Sequence, residues 1–80
     1  MKGECNTTVT KIAELDVDNG RGKDIVCLKE YSDGEQAYLL KYVDLVTHNE
    51  TQWMEVGKGL ARRAVSAQHG EDTANRIFGK

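Results

Sequence analysis

The sequence contains no proline, and it has only two cysteines, two histidines, one tryptophan and one phenylalanine. It also lacks internal repeats, low-complexity stretches and linker-like segments, so nothing divides its 80 residues and a single small domain, 1–80, is expected. A chain of this size is near the lower limit at which enough apolar surface is buried to fold alone, which argues against a large catalytic cleft. No apolar run approaches the roughly 20 residues of a membrane span, and Met1-Lys2-Gly3-Glu4 leads into polar residues rather than a signal-peptide core. A cytoplasmic protein with reduced thiols is therefore the expectation, and the sequons at Asn6 and Asn49 read as chance matches.

What is present is charge, unevenly placed. Residues 1–56 carry six Lys/Arg against eleven Asp/Glu, whereas residues 57–80 carry five against two. The front of the chain is acidic and the back basic, although the whole is only −2.

The fold class expected from periodicity is α+β. Residues 1–7 show no period and are expected to fray. From Thr8 to Val17 apolar and polar residues largely alternate, after a β-rich Thr-Thr-Val-Thr start, which predicts a strand. Val9, Ile12, Ala13 and Val17 also suit helical spacing, which leaves a short helix over 11–16 as the competing reading. Asn19-Gly20 marks a turn because both residues tolerate positive φ. Asp24 to Tyr31 reads as the second strand, Asp33-Gly34 as a second turn, and Gln36 to Thr47 as the third strand. Two tight turns in succession imply a three-stranded antiparallel meander over 8–47. A two-residue loop at Asp33-Gly34 would pair Cys27 with Leu40 and Ile25 with Tyr42, leaving Ile25, Cys27, Leu40 and Tyr42 as a patch on one face of the sheet.

Asn49 to Gln68 is the most strongly patterned run. Trp53, Val56, Gly57, Leu60, Ala61, Ala64 and Ala67 fall on one stripe at 100° per residue, with Asn49 as N-cap and Gly70 as the stop. The spacing predicts a long amphipathic helix over 49–68, whose Trp53, Gly57, Leu60 and Ala64 hold one sheet face. Ala74, Ile77 and Phe78 stand at i, i+3 and i+4 and predict a short helix over 71–78.

Few constellations carry chemistry. Asp16-x-Asp18-Asn19-Gly20-x-Gly22-x-Asp24 resembles the calcium loops of integrin-type propeller repeats over nine residues. It departs from their pattern at Gly20, so a solvated acidic turn is the better reading and no metal is expected. Cys5, Cys27, His48 and His69 lack the paired spacing of zinc ligands. Ser66 with His69 lies on a helix surface, where nothing builds an oxyanion hole, and His69 reads as a solvated residue favouring the helix C-terminus. Gly57-Lys58-Gly59 falls inside the predicted helix and lacks phosphate-loop spacing. No enzyme and no cofactor are expected.

Two charged surfaces remain. Lys58, Arg62 and Arg63 form the main basic cluster and are candidate nucleic-acid contacts. Asp16, Asp18 and Asp24 gather round one turn and Asp33 and Glu35 round the other; carboxylates on a rigid scaffold steer toward a basic surface. The function expected is non-enzymatic binding of another protein through this acidic surface. By analogy of size and charge alone, the format suits phage or mobile-element inhibitors of a host nucleic-acid-binding complex. Alternatives are a nucleic-acid-binding module using the basic helix face, and a structural homodimer closing the patch of Ile25, Cys27, Leu40 and Tyr42.

Overall fold

The computed structural model describes residues 7–79 as a four-stranded antiparallel sheet with two helices. Cys5 and Lys80 lie outside the described residues, as do most of the residues expected to fray. The strands are β1 (Thr7–Val17), β2 (Gly22–Tyr31), β3 (Gln36–Asp44) and β4 (Met54–Val56), in the order β1-β2-β3-β4. The helices α1 (Lys58–His69) and α2 (Glu71–Phe78) follow. The architecture is α+β as expected, with one strand more than the meander predicted from the turns. Among the described residues no helix is long and apolar enough to cross a membrane.

The β1–β2 turn packs three left-handed residues together: Asp18, Asn19 and Gly20 all have positive φ. Asp and Asn are the side chains that best tolerate this conformation after glycine. The β2–β3 turn is longer by one residue than a two-residue hairpin. Tyr31 N–H donates to the Glu35 carbonyl, Gly34 N–H donates to that of Tyr31, and Asp33 Oδ1 accepts from the Glu35 N–H. Gly34 at φ 94° closes a three-residue loop with the left-handed residue such loops require. This sets the register at Val26 opposite Leu40 and Cys27 opposite Leu39.

A one-residue difference in register moves every side chain to the other face. The expected patch is therefore corrected: Leu40 and Tyr42 share the face of Val26, while Ile25 and Cys27 share the opposite face with Leu39. β1 contains a second phase change. Its pairing shifts between Lys11 and Ala13, so Ile12 is the extra residue of a bulge. Beyond it Ala13 and Leu15 pack on the core, which explains why the apolar residues of β1 mimic helical spacing.

The region expected to begin the long helix is instead irregular chain and strand. Glu50 bridges to Val43, and Met54–Val56 pair with Tyr38–Leu40 of β3. Thr51 and Val56 are β-branched and Gly57 and Gly59 are poor helix formers, so ladder bonds on the open edge of β3 win over helix extension. The helix begins at Lys58 with Gly57 as its N-cap, placing Gly57-Lys58-Gly59 at its start rather than inside it. Gly70 ends α1 as expected, at φ 94°, and α2 occupies the predicted 71–78.

The core lies between the two helices and one sheet face. It consists of Val26, Tyr38, Ala61, Val65, Ala74 and Phe78, with Leu15, Leu28, Leu40 and Val56 packed against it. The Tyr38 and Phe78 rings meet edge to face at 5.2 Å. The buried stripe of α1 is thus centred on Ala61 and Val65. Leu60, expected in the core, is 60% exposed, and Trp53 is 44% exposed.

Trp53 instead lies beside Lys41, whose ammonium stands 4.9 Å from the ring centroid. The face without helices is covered by lysine stems and ion pairs: Lys11 and Lys23 reach Glu14, Lys29 reaches Glu55, and Lys41 reaches Glu50. Cys27 is buried beneath this layer at 5% exposure, and burial pushes its thiol pKa up.

Candidate functional site

At one end of the helix-bearing face α1 and the segment leading into β4 stand apart. Between them lies a cleft of about 320 Å³, floored by Val26 and Leu40, walled by Ala64 and Val65 of α1, and edged by Met54. Ala64 is small, and Thr51 and Gln52, ahead of β4, border the opening together with Met54 at its start. Met54 is 58% exposed at its lip. Asp24, Lys41, Thr51, Gln52 and Gln68 supply the polar rim.

Tyr42 also lines the cleft, and the same residue lines an open polar recess with Asp18, Asn19, Arg21 and Asp44. The two depressions therefore adjoin at one residue. Burial, followed by the carboxylates of Asp44, Asp18 and Asp24, raises the pKa of the Tyr42 phenol, while Arg21 acts in the opposite sense. The ring is held against the backbone of Gly22, where a side chain would occupy the space of the ring edge.

Two of the carboxylates here have a structural tether. Asp44 Oδ1 accepts from the Val46 and Thr47 N–H groups at 2.9 and 3.0 Å, turning the chain out of β3. Those bonds, Thr47 first, hold its carboxyl below the usual range. Asp24 Oδ2 lies 2.8 Å from His69 Nε2, linking β2 to the last residue of α1. The His69 side chain is 11% exposed, so the solvated histidine expected at the helix end is corrected to a tertiary partner of Asp24. Thr51 Oγ1 accepts from the Tyr42 N–H, fixing the segment before β4 to the strand beneath it.

The acidic residues singled out in the sequence separate into groups. Asp18 and Asp24 reach this site; Asp16 faces the other side, opposite Lys23 in the register. Asp33 and Glu35 sit in the β2–β3 turn at the far end of the sheet. The three carboxylates of the calcium-like loop thus do not converge, and among the described residues no three His, Cys, Asp or Glu side chains stand close enough to hold a metal ion. Asp44, Tyr42, Met54 and Ala64 were not singled out for this surface. Tyr42 and Asp44 come from β3 and join Asp24 and Asp18 through pairing, which no local motif encodes.

The basic cluster is also divided. Arg62 Nη1 donates to the Gly79 carbonyl at 2.7 Å, and Nη2 donates to Asn75 Oδ1. Its guanidinium caps the end of α2 and clamps the two helices, which leaves Lys58 and Arg63 as the exposed cations of the predicted nucleic-acid face.

No protein-family model, curated protein or solved structure matches the chain.

Proposed function

We propose that this is a non-catalytic binding protein that acts by protein–protein contact through the end of the sheet where the α1–β4 cleft meets Asp18, Asp24 and Asp44. The observation that carries the reading is the adjoining of an apolar cleft and a recess bordered by Asp18 and Asp44 at the shared residue Tyr42. An apolar centre with a polar rim is the anatomy of a protein contact, and the carboxylates supply orientation and encounter rate. A basic surface suits it as partner, so the small domain would compete with nucleic acid for that surface, in the manner of a mobile-element inhibitor. Internal use of Arg62 and the ion-paired cover of the open face favour this end over the basic helix and over a homodimer closed through the sheet.

The test is capture of a partner from lysate of the source cells on immobilised protein, compared across variants. Asp18→Asn with Asp44→Asn removes two charges while keeping the side-chain acceptor of Asp44 and the left-handed tolerance at residue 18. A specific partner should be lost with this pair or with Met54→Asp, and kept with Asp33→Asn/Glu35→Gln. Retention through both cleft-end variants would move the contact elsewhere.

A further inference from the structure

We propose that the cleft and the recess form one receptor for a partner segment carrying an apolar side chain beside an arginine or lysine. The inference rests on the protein-contact reading above and adds the chemistry of what enters. The apolar half follows from the walls: Val26, Leu40, Ala64 and Val65 offer an inserted group no hydrogen-bond partner from their side chains. A volume of about 320 Å³ is enough for one large aliphatic side chain.

The cationic half follows from what stands at the edge. Asp24 and Lys41 border the cleft, with the Lys41 ammonium paired to Glu50, and Asp18 and Asp44 border the recess with Arg21 as the counter-charge beside them. Asp24 is partly engaged by His69 and Asp44 by two N–H groups, but neither contact uses every acceptor position of its carboxylate. With Lys41 paired to Glu50, the three carboxylates outweigh Arg21, which disfavours an anionic occupant such as a fatty acid or a phosphate backbone, whereas a guanidinium would find carboxylates and the Tyr42 hydroxyl. The chain itself offers one competing occupant of the right chemistry. Leu60 of α1 is exposed with Arg63 three residues on, so a second copy could present the same pair.

The experiment titrates the full chain, observed by amide NMR, with four blocked peptides: Ac-Arg-Leu-Arg-NH2, Ac-Gln-Leu-Gln-NH2, Ac-Glu-Leu-Glu-NH2 and Ac-Arg-Gly-Arg-NH2. The first should shift the amides of Leu40, Met54, Ala64 and Val65. It should bind about three- to tenfold more tightly than the glutamine peptide, the scale of exposed charge pairs. It should bind about tenfold or more above the glycine peptide, the scale of burying one aliphatic side chain. Asp18→Asn/Asp44→Asn should narrow the first difference, and Ala64→Phe, which fills the cleft, should remove the second.

Equal binding of the arginine and glutamine peptides overturns the cationic half, and equal binding of the leucine and glycine peptides overturns the apolar half. No shift with any of the four at millimolar concentration overturns the receptor as a whole. In each case the protein-contact reading is decided separately by the capture experiment. A dimer in solution that Leu60→Asp dissociates, and whose interface maps to the cleft, would replace the foreign segment with a second copy.

Discussion

Tyr42 joins the two depressions because Gly22 leaves room for it, and Gly22→Ala is the smallest perturbation of that arrangement. A Cβ built at Gly22 would stand 2.3 Å from the Tyr42 hydroxyl oxygen and 2.6 and 2.7 Å from the two nearest ring carbons, where ordinary contacts begin near 3.4 Å. The ring edge must therefore retreat by about 1 Å, which is overpacking of the kind that costs about 1–3 kcal/mol. Gly22 lies in β2 without positive φ, so alanine there also recovers about 0.5–1 kcal/mol of chain entropy. The expected net loss is about 1–2 kcal/mol, or about 5–15 °C in Tm for a domain of this length. Urea unfolding measures it, and the Tyr42 ring resonances report the displacement.

The decisive comparison is the same change in a Tyr42→Ala background. With the ring gone the clash disappears, so Gly22→Ala should become neutral or stabilising by up to about 0.5–1 kcal/mol. An equal loss in both backgrounds would refute the proposed packing of Tyr42 on Gly22.

Three further outcomes are expected. Arg62→Ala should cost about 1–2 kcal/mol, because a charge-assisted contact to the Gly79 carbonyl and another to Asn75 are lost, while Arg63→Ala should stay within about 0.5 kcal/mol; urea midpoints separate the two. Glu14, Glu55 and Asp44 all have lowered carboxyl pKa values, from the Lys11 and Lys23 contacts, the Tyr31 and Lys29 contacts, and the Thr47 and Val46 N–H groups respectively. Their contribution is present above the unfolded carboxylate range and is lost as pH falls through the folded values, so urea midpoints should drop below about pH 4, less steeply for Asp44→Asn; a midpoint unchanged from neutral to acid pH would count against it. Asp24→Asn and His69→Ala should each destabilise the end of α1, with the double variant costing less than the sum of the two singles; additive losses would show that the pair does not interact.

The parts of the fold legible in the sequence are those set by short-range chemistry. Asn19-Gly20 and Asp33-Gly34 marked the turns that separate β1, β2 and β3, and Gly70 with Ala74, Ile77 and Phe78 marked α2 with its bounds. What failed depended on competition over distance. The register at Gly34 turned on one residue, the loop holding Ser32, Asp33 and Gly34, with Asp33 accepting from the Glu35 N–H. The helical spacing from Trp53 to Leu60 was real as a pattern, but Val56 and Met54 gain more by pairing with Tyr38 and Leu40 than by extending α1.

The same division holds for the site. Asp18 and Asp24 were visible as part of an acid-rich turn, whereas His69 meets Asp24 across 45 residues, and Asp44 and Tyr42 arrive through strand pairing. Arg62 looked like a surface cation because its partners, Asn75 and Gly79, lie on the next helix and beyond it.

Photo-crosslinking tests most directly whether the partner is held at the cleft end. A benzoylphenylalanine placed at Met54, on the lip of the cleft, and separately at Glu35, in the turn at the far end of the sheet, would be irradiated in source cells. A discrete adduct from position 54 that Asp18→Asn/Asp44→Asn abolishes, with none from position 35, is the predicted result. An adduct from position 35 with none from position 54 would contradict it.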